Sequence, residues 1–199
     1  MDKLFRPGDK LRDRMEAKWE IEYEDVFHFK NLYKLIHDFI NENEWKDPVD
    51  DGENYERYYY EKELPGGSKE YRIWWRVIHV PRRNPYIRYV LKLDYLGLNM
   101  QKVETVVDGV KYKTWKGDLI LYCEGWLQMD YQNKWENSKF LKPFHPFFMN
   151  RIYKPYYEFH KKELREKCYD LNREIKRFLQ LKTPFKEPKL YREEKGAPV

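Results

Sequence analysis

Hydrophobic and polar residues alternate at period two near the N-terminus, which predicts a half-buried β-strand. From Trp19 to Phe29, most odd positions are aromatic or aliphatic, and glutamate occupies three of the even positions. Successive side chains of a strand point to opposite faces of its sheet, so this pattern gives one dry face and one wet face. Residues 1–18 are charged and show no such alternation, and we predict that they form an N-terminal arm.

The spacing then changes to that of an amphipathic helix. Asn31 is a residue type favoured as a helix N-cap, and apolar residues recur behind it at i, i+3, i+4, i+7 and i+8. These residues are Leu32, Leu35, Ile36, Phe39 and Ile40. The helix should end near Trp45, before Asp47-Pro48.

Strand-like segments separated by turn residues fill the middle of the chain. We predict strands over residues 55–64, 71–80, 86–95, 103–107, 110–115 and 119–131. The turn between the first two contains Gly66-Gly67, and Asp108-Gly109 separates the fourth from the fifth. Glycine adopts the left-handed conformations that tight hairpins need. The sequence therefore predicts a curved antiparallel sheet of about six to seven strands.

The C-terminal third carries a helical pattern from Pro146 to about Leu181. Pro155 should kink or divide this helix, because proline lacks the backbone N–H. The apolar residues beyond it, spaced alternately by four and three, are Leu164, Cys168, Leu171, Ile175 and Phe178. Residues 182–199 contain three prolines and no period, which predicts a basic tail. One α+β domain over residues 19–181 is thus expected, with the long helix packed on the sheet.

The order of these elements resembles the helix-grip superfamily (SRPBCC) of START and pollen-allergen-like domains. The resemblance covers residues 19–181 and rests on topology: strand, helix, a meander of about six strands, and one long helix. It implies a curved sheet that grips the last helix over a cavity for an apolar ligand. The family has a second short helix after the first strand, whereas residues 46–54 of this chain read KDPVDDGEN and are turn-like.

Composition is that of a folded protein in spite of its charge. Charged residues make up 37% of the 199 residues, but aromatic residues make up 18%, and disordered chains are poor in aromatics. The net charge of +5 permits a polyanionic partner without requiring one. There is no signal-like or membrane-spanning apolar run, and two cysteines favour a reducing compartment. We expect a cytoplasmic protein.

Residue types that carry catalysis or bind metals lack the spacing that those functions need. Ser68 and Ser138 have no nucleophile-elbow context, and the five histidines show neither HxH nor HExxH spacing. Cys123 and Cys168 lie on apolar patterns, which favours core thiols over reactive ones. We therefore expect neither a catalytic residue nor a cofactor, and a binding role ahead of an enzymatic one.

Aromatic rings on both faces of neighbouring strands leave two hypotheses for that binding role. In the first, which is slightly favoured, an apolar small molecule is lined by Tyr71, Ile73, Trp75, Tyr89, Leu91, Leu93, Ile152, Tyr156 and Phe159. In the second, a structural or adaptor subunit contacts protein or RNA through Arg72, Trp74, Arg76, Arg82, Arg83, Lys182, Lys186, Lys189 and Arg192. The sequence pattern does not fix the oligomeric state.

Overall fold

Five antiparallel strands and three helices form the computed structural model, which describes residues 12–49, 54–107 and 110–181. The strands lie in the order β1-β5-β4-β3-β2. Their bounds are β1 Asp13–Phe27, β2 Glu56–Glu63, β3 Lys69–His79, β4 Ile87–Val107 and β5 Val110–Met129. The helices are α1 Phe29–Glu42, the short α2 His145–Phe147 and the long α3 Lys154–Phe178. The predicted α+β class and antiparallel sheet are confirmed.

The sheet has fewer strands than predicted, because predicted breaks lie within continuous strands. The pairing of β4 with β5 shifts register between Leu98 and Gln101, and this irregularity absorbs extra residues without ending either strand. Gly117 lies opposite this point, where a Cβ atom would stand 2.8 Å from the Leu98 carbonyl oxygen. This glycine, which lies between two of the predicted strands, permits a close approach of two backbones inside the sheet.

The first strand starts earlier than predicted. β1 begins at Asp13, inside the segment predicted as a charged arm, and the rest of that segment lies outside the described residues. A register shift between Met15 and Ala17 reverses which positions face the core, so the alternation seen after Ala17 does not extend before it. The predicted tail over residues 182–199 also lies outside the described residues.

Helix α1 begins two residues before the predicted N-cap. His28 occupies the cap position, and its Nδ1 accepts a hydrogen bond of 3.4 Å from the backbone N–H of Asn31. The predicted apolar stripe is confirmed, since Leu32, Ile36 and Ile40 are fully buried. This stripe closes the core at one end of the sheet.

Helix α3 packs across β1 and β5, on the face of the sheet that also carries α1. The Trp19 indole N–H donates to the Cys168 carbonyl oxygen at 2.9 Å, which fixes β1 against the helix. Gly125 leaves room for the helix, because a Cβ atom there would lie 2.6 Å from Cys168 Sγ. The predicted seam residues Leu164 and Ile175 are fully buried. We call the opposite face of the sheet, which carries most of the charged strand positions, the open face.

Candidate binding surface

The six strand residues predicted to line an apolar cavity lie in the hydrophobic core. Each is at most 5% exposed, and the set comprises Tyr71, Ile73, Trp75, Tyr89, Leu91 and Leu93. The Trp75 ring packs edge-on against Tyr33 of α1, with 4.6 Å between ring centroids, and lies 5.4 Å from Tyr95. These six residues thus lie together in the structure, where they pack against other core residues.

The three helical residues of the same predicted set point outwards instead. Ile152, Tyr156 and Phe159 are 57%, 62% and 49% exposed, and α3 turns Tyr157 and His160 towards the sheet. Their assignment to the sheet side of the helix was wrong. The seam of α3, continued back from Leu164 by four and then three residues, reaches His160 and Tyr157 rather than Phe159 and Tyr156. Ile152 lies before α3, in a π-helical turn over Phe148–Ile152.

Asp130 fixes the start of the segment that joins β5 to α3. Its side chain is 2% exposed, and its carboxylate accepts the backbone N–H groups of Trp135 and Glu136 at 3.1–3.2 Å. Hydrogen bonds to a carboxylate are stronger than those between neutral groups. A buried acid therefore holds this loop in one conformation.

An inner set of rings anchors the same segment to the sheet. Trp135 stacks on Phe148 at 4.4 Å and on His145 at 5.1 Å between ring centroids. Tyr86, which directly precedes β4, packs edge-on against Tyr153 at 4.7 Å between ring centroids, and its hydroxyl lies 2.7 Å from His145 Nε2. These contacts give the segment a rigid base from which other side chains project.

An outer set of apolar side chains from this segment is exposed to solvent. We define the aromatic surface as Phe140, Phe144, Phe147, Ile152, Tyr156 and Phe159, whose exposed fractions run from 49% to 75%. Phe140 and Phe144 lie 5.8 Å apart between ring centroids. Isolated exposed apolar residues are common, whereas contiguous exposed patches mark contact sites. The sequence singled out Ile152, Tyr156 and Phe159 as lining of a cavity rather than as a surface, and it did not single out Phe140, Phe144 or Phe147.

Basic residues are interspersed along the chain with those of the aromatic surface. Residues 132–159 contain five Lys or Arg and two Glu, a net charge of +3 out of +5 for the chain. Within this segment, Lys142 pairs with Glu136, whereas Arg151 and Lys154 form no ion pair with any described residue. The predicted partner residue Arg82 places its guanidinium 5.4 Å from the centroid of the Phe159 ring. Apolar and cationic groups therefore share one surface.

The predicted partner residues on β3 lie on the open face, as their even positions require. Trp74 is 42% exposed, and its ring lies 4.5 Å from that of Tyr58 on the edge strand β2. Arg72 pairs with Glu70 at 2.7 Å, and Arg76 pairs with Asp94. Because both guanidinium groups are locally neutralised, the open face attracts an anion less strongly than its arginine content indicates. Residues Lys182, Lys186, Lys189 and Arg192 lie outside the described residues.

A buried polar cluster joins α3 to the sheet near Arg82. His160 Nδ1 lies 2.7 Å from the Tyr89 hydroxyl, which donates to Glu163 at 3.0 Å, and Asn84 Nδ2 lies 3.5 Å from His160 Nε2. With Asn84 donating to Nε2, the imidazole is neutral and donates through Nδ1. Burial lowers the pKa of His160 and raises that of Tyr89. The cluster holds one neutral tautomer in place.

The two thiols lie at the contact between β5 and α3. Cys123 and Cys168 are at most 1% exposed, and burial raises the pKa of the Cys123 thiol well above its ordinary value. A raised pKa disfavours the reactive thiolate. Within residues 12–49, 54–107 and 110–181, no group of three or more His, Cys, Asp or Glu is arranged to hold a metal ion.

Three comparisons with known proteins give no relative for this chain. No protein-family model, curated protein or solved structure matches it. Among the described residues, no helix is both long and apolar enough to cross a membrane.

Proposed function

We propose that this chain is a non-enzymatic docking protein that attaches to anionic lipid surfaces through the aromatic surface. The observation that carries the proposal is the coincidence of six exposed apolar side chains with most of the net positive charge of the chain. Interfacial binding combines apolar side chains inserted at the headgroup boundary with Lys and Arg attracted to anionic lipid. The inner rings preorganise the segment, so docking requires little ordering of the backbone.

Apolar burial and electrostatic attraction each contribute enough free energy to affect binding to a lipid surface. Full burial of a Phe side chain contributes about 1.5–3 kcal/mol, and each Lys or Arg near an anionic surface contributes about 1 kcal/mol. Phe140, Phe144 and Phe147 are already partly buried, so each gains only the part that remains exposed. Together with Lys139 and Arg151, they support reversible attachment rather than permanent insertion.

The shape of the site favours lipid over a folded partner or RNA. The six side chains are 49% to 75% exposed, and none of them lines three of the larger clefts of the described residues. Ile152 and the phenylalanines cannot hydrogen-bond, and an aliphatic side chain does not stack bases. A fluid bilayer accepts such side chains without a complementary shape.

Co-sedimentation with lipid vesicles tests this proposal. Wild-type protein should bind vesicles that contain phosphatidylserine, bind neutral phosphatidylcholine vesicles much more weakly, and dissociate as salt rises. The combined variant Phe140→Ser, Phe144→Ser and Phe147→Ser should lose at least about tenfold in apparent affinity, which corresponds to about 1.4 kcal/mol. These side chains are exposed, so circular dichroism and melting should be unchanged.

Matched controls alter the same kinds of residue elsewhere. Tyr58→Ser with Tyr60→Ser and Trp74→Ser removes exposed rings from the open face and should leave vesicle binding within about twofold of wild type. Equal losses in both ring variants would contradict the proposal. So would phosphatidylserine-independent binding, or tight binding of single-stranded RNA that the phenylalanine variant abolishes while vesicles are ignored.

The fold supports the apolar-ligand hypothesis, whereas the burial of its predicted lining residues counts against it. The strand order, with α3 lying across one face, supports the proposed resemblance to helix-grip domains. The close packing of Ile73, Trp75 and Leu93 supports a core role for the predicted lining residues. We therefore propose the aromatic surface, rather than a cavity under α3, as the binding site.

A further inference from the structure

A separate polar cleft opens where α1 ends beside the end of β3. It has a volume of about 670 Å³. Small-molecule sites span roughly 300–1,000 Å³, so the cleft is large enough for a metabolite. Ten described residues line it, and none of them belongs to the aromatic surface. They include Glu44, Trp45, Lys46, His79 and Arg83.

The charge of this cleft favours an anion. Lys46 and Arg83 are both exposed, and neither forms an ion pair with another described residue. Glu44 is the acidic residue among the lining residues, and its backbone carbonyl oxygen receives a hydrogen bond from His79 Nδ1 at 3.1 Å. That bond leaves Nε2 of His79 as the nitrogen that can accept, or on protonation donate, a second hydrogen bond.

A buried donor at the cleft has no acceptor. Trp45 is 2% exposed and lines the cleft, and its indole Nε1 makes no hydrogen bond to any described residue. Buried donors are nearly always paired, so an orphaned one calls for a partner such as a ligand or ion. An oxyanion between Lys46 and Arg83 would supply the missing acceptor chemistry.

Unusual backbone conformations position the charged residues. Glu44 and Arg83 line the cleft with φ angles of 59° and 54°, and Arg82 next to it has a φ of 49°. Non-glycine residues rarely adopt this left-handed region, and such conformations concentrate at functional sites. On both sides of the cleft, the surrounding fold thus holds the backbone in a conformation that it would rarely adopt alone.

We propose that this cleft binds a small organic molecule that carries a phosphate or carboxylate group. The oxyanion lies between Lys46 and Arg83 and accepts a hydrogen bond from the Trp45 indole. Because the cleft and the aromatic surface share no residue, this inference does not depend on attachment to lipid.

Two-dimensional ¹⁵N–¹H NMR of the full-length protein at low salt tests the proposal. Inorganic phosphate, citrate and AMP are titrated separately, which distinguishes phosphate from carboxylate and a free ion from a nucleotide. The indole N–H resonance of Trp45, assigned by its absence in Trp45→Phe, should shift in a saturable way with at least one probe. The double variant Lys46→Gln and Arg83→Gln should weaken that binding at least about tenfold, since hydrogen bonds to charged groups are strong.

The control removes the same charge from α3. Lys162→Gln with Arg177→Gln changes two exposed cations outside the cleft and should leave the dissociation constant within about twofold of wild type. The proposal is overturned if none of the three probes shifts the Trp45 resonance. It is equally overturned if the Lys46 and Arg83 double variant binds like wild type, or if the α3 control loses binding to the same extent.

Discussion

His160 shows how one buried residue can make stability depend on pH. It is 6% exposed and contacts Tyr89 and Asn84. Burial lowers the pKa of His160 below its ordinary value of 6.5, Glu163 opposes this shift, and Arg82 adds to it. The neutral imidazole is therefore the form that the fold stabilises.

We predict that acid destabilises the protein partly through this residue. Between the folded-state pKa and 6.5, the unfolded chain binds a proton that the folded chain does not. The contribution of His160 to the free energy of unfolding is therefore complete above pH 6.5 and is lost as the pH falls from 6.5 towards the folded-state pKa. Urea unfolding at about pH 7.5 and about pH 5.5 should show a smaller pH effect in His160→Gln than in wild type. An identical pH effect in the two proteins would rule this out.

Adjacent tryptophans show what the residue pattern could and could not predict. Trp75 is 1% exposed and Trp74 is 42% exposed, as their alternating positions require. Alternation therefore placed the rings of the sheet on the correct faces. It could not show that Arg72 and Arg76 are neutralised, because Glu70 and Asp94 become neighbours only through side-chain geometry and strand pairing.

At the scale of elements, the packing of α3 on β5 depends on a missing side chain. A Cβ atom at Gly125 would lie 2.6 Å from Cys168 Sγ and 3.3 Å from the Ala17 Cβ. The first distance is too short for any contact, so the helix or the strand would have to move. Gly125, which lies inside the predicted strand 119–131, is needed for this close approach.

We predict that Gly125→Ala lowers the free energy of unfolding by about 1–3 kcal/mol through overpacking. Cys168→Ala removes the clashing sulfur, so the double variant should recover part of that loss. A double-mutant cycle in urea measures the coupling. Strict additivity of the two substitutions would mean that the contact between Gly125 and Cys168 does not limit the position of α3.

Long elements were predictable where a regular period ran through them, and irregular ones were not. The stripe of α1 and the seam of α3 follow helical spacing, and the structure confirms both. The register shifts in β1 and β4 and the π-helical turn over Phe148–Ile152 have no local signature, because they depend on pairing and packing with distant residues. The two register shifts account for strand bounds that differ from the prediction.

At the scale of the whole molecule, charge and exposed apolar area coincide. Residues 132–159 carry +3 of the net +5, and the same segment contains all six members of the aromatic surface. The sequence did not predict this coincidence, because the net charge of the chain is mild and the six side chains follow no single helical or strand period. Which side chains project outwards becomes clear only from the structure, in which the inner rings hold the segment on the sheet.

Site-specific fluorescence is the most direct test of attachment through the aromatic surface. Cys123 and Cys168 are buried, so a cysteine introduced by Phe144→Cys can be labelled selectively with an environment-sensitive dye. Phosphatidylserine vesicles should shift the emission of this label to the blue, as apolar surroundings require. The same label at Tyr58→Cys on the open face should not respond. An unchanged spectrum at position 144, or equal shifts at both positions, would contradict docking through this surface.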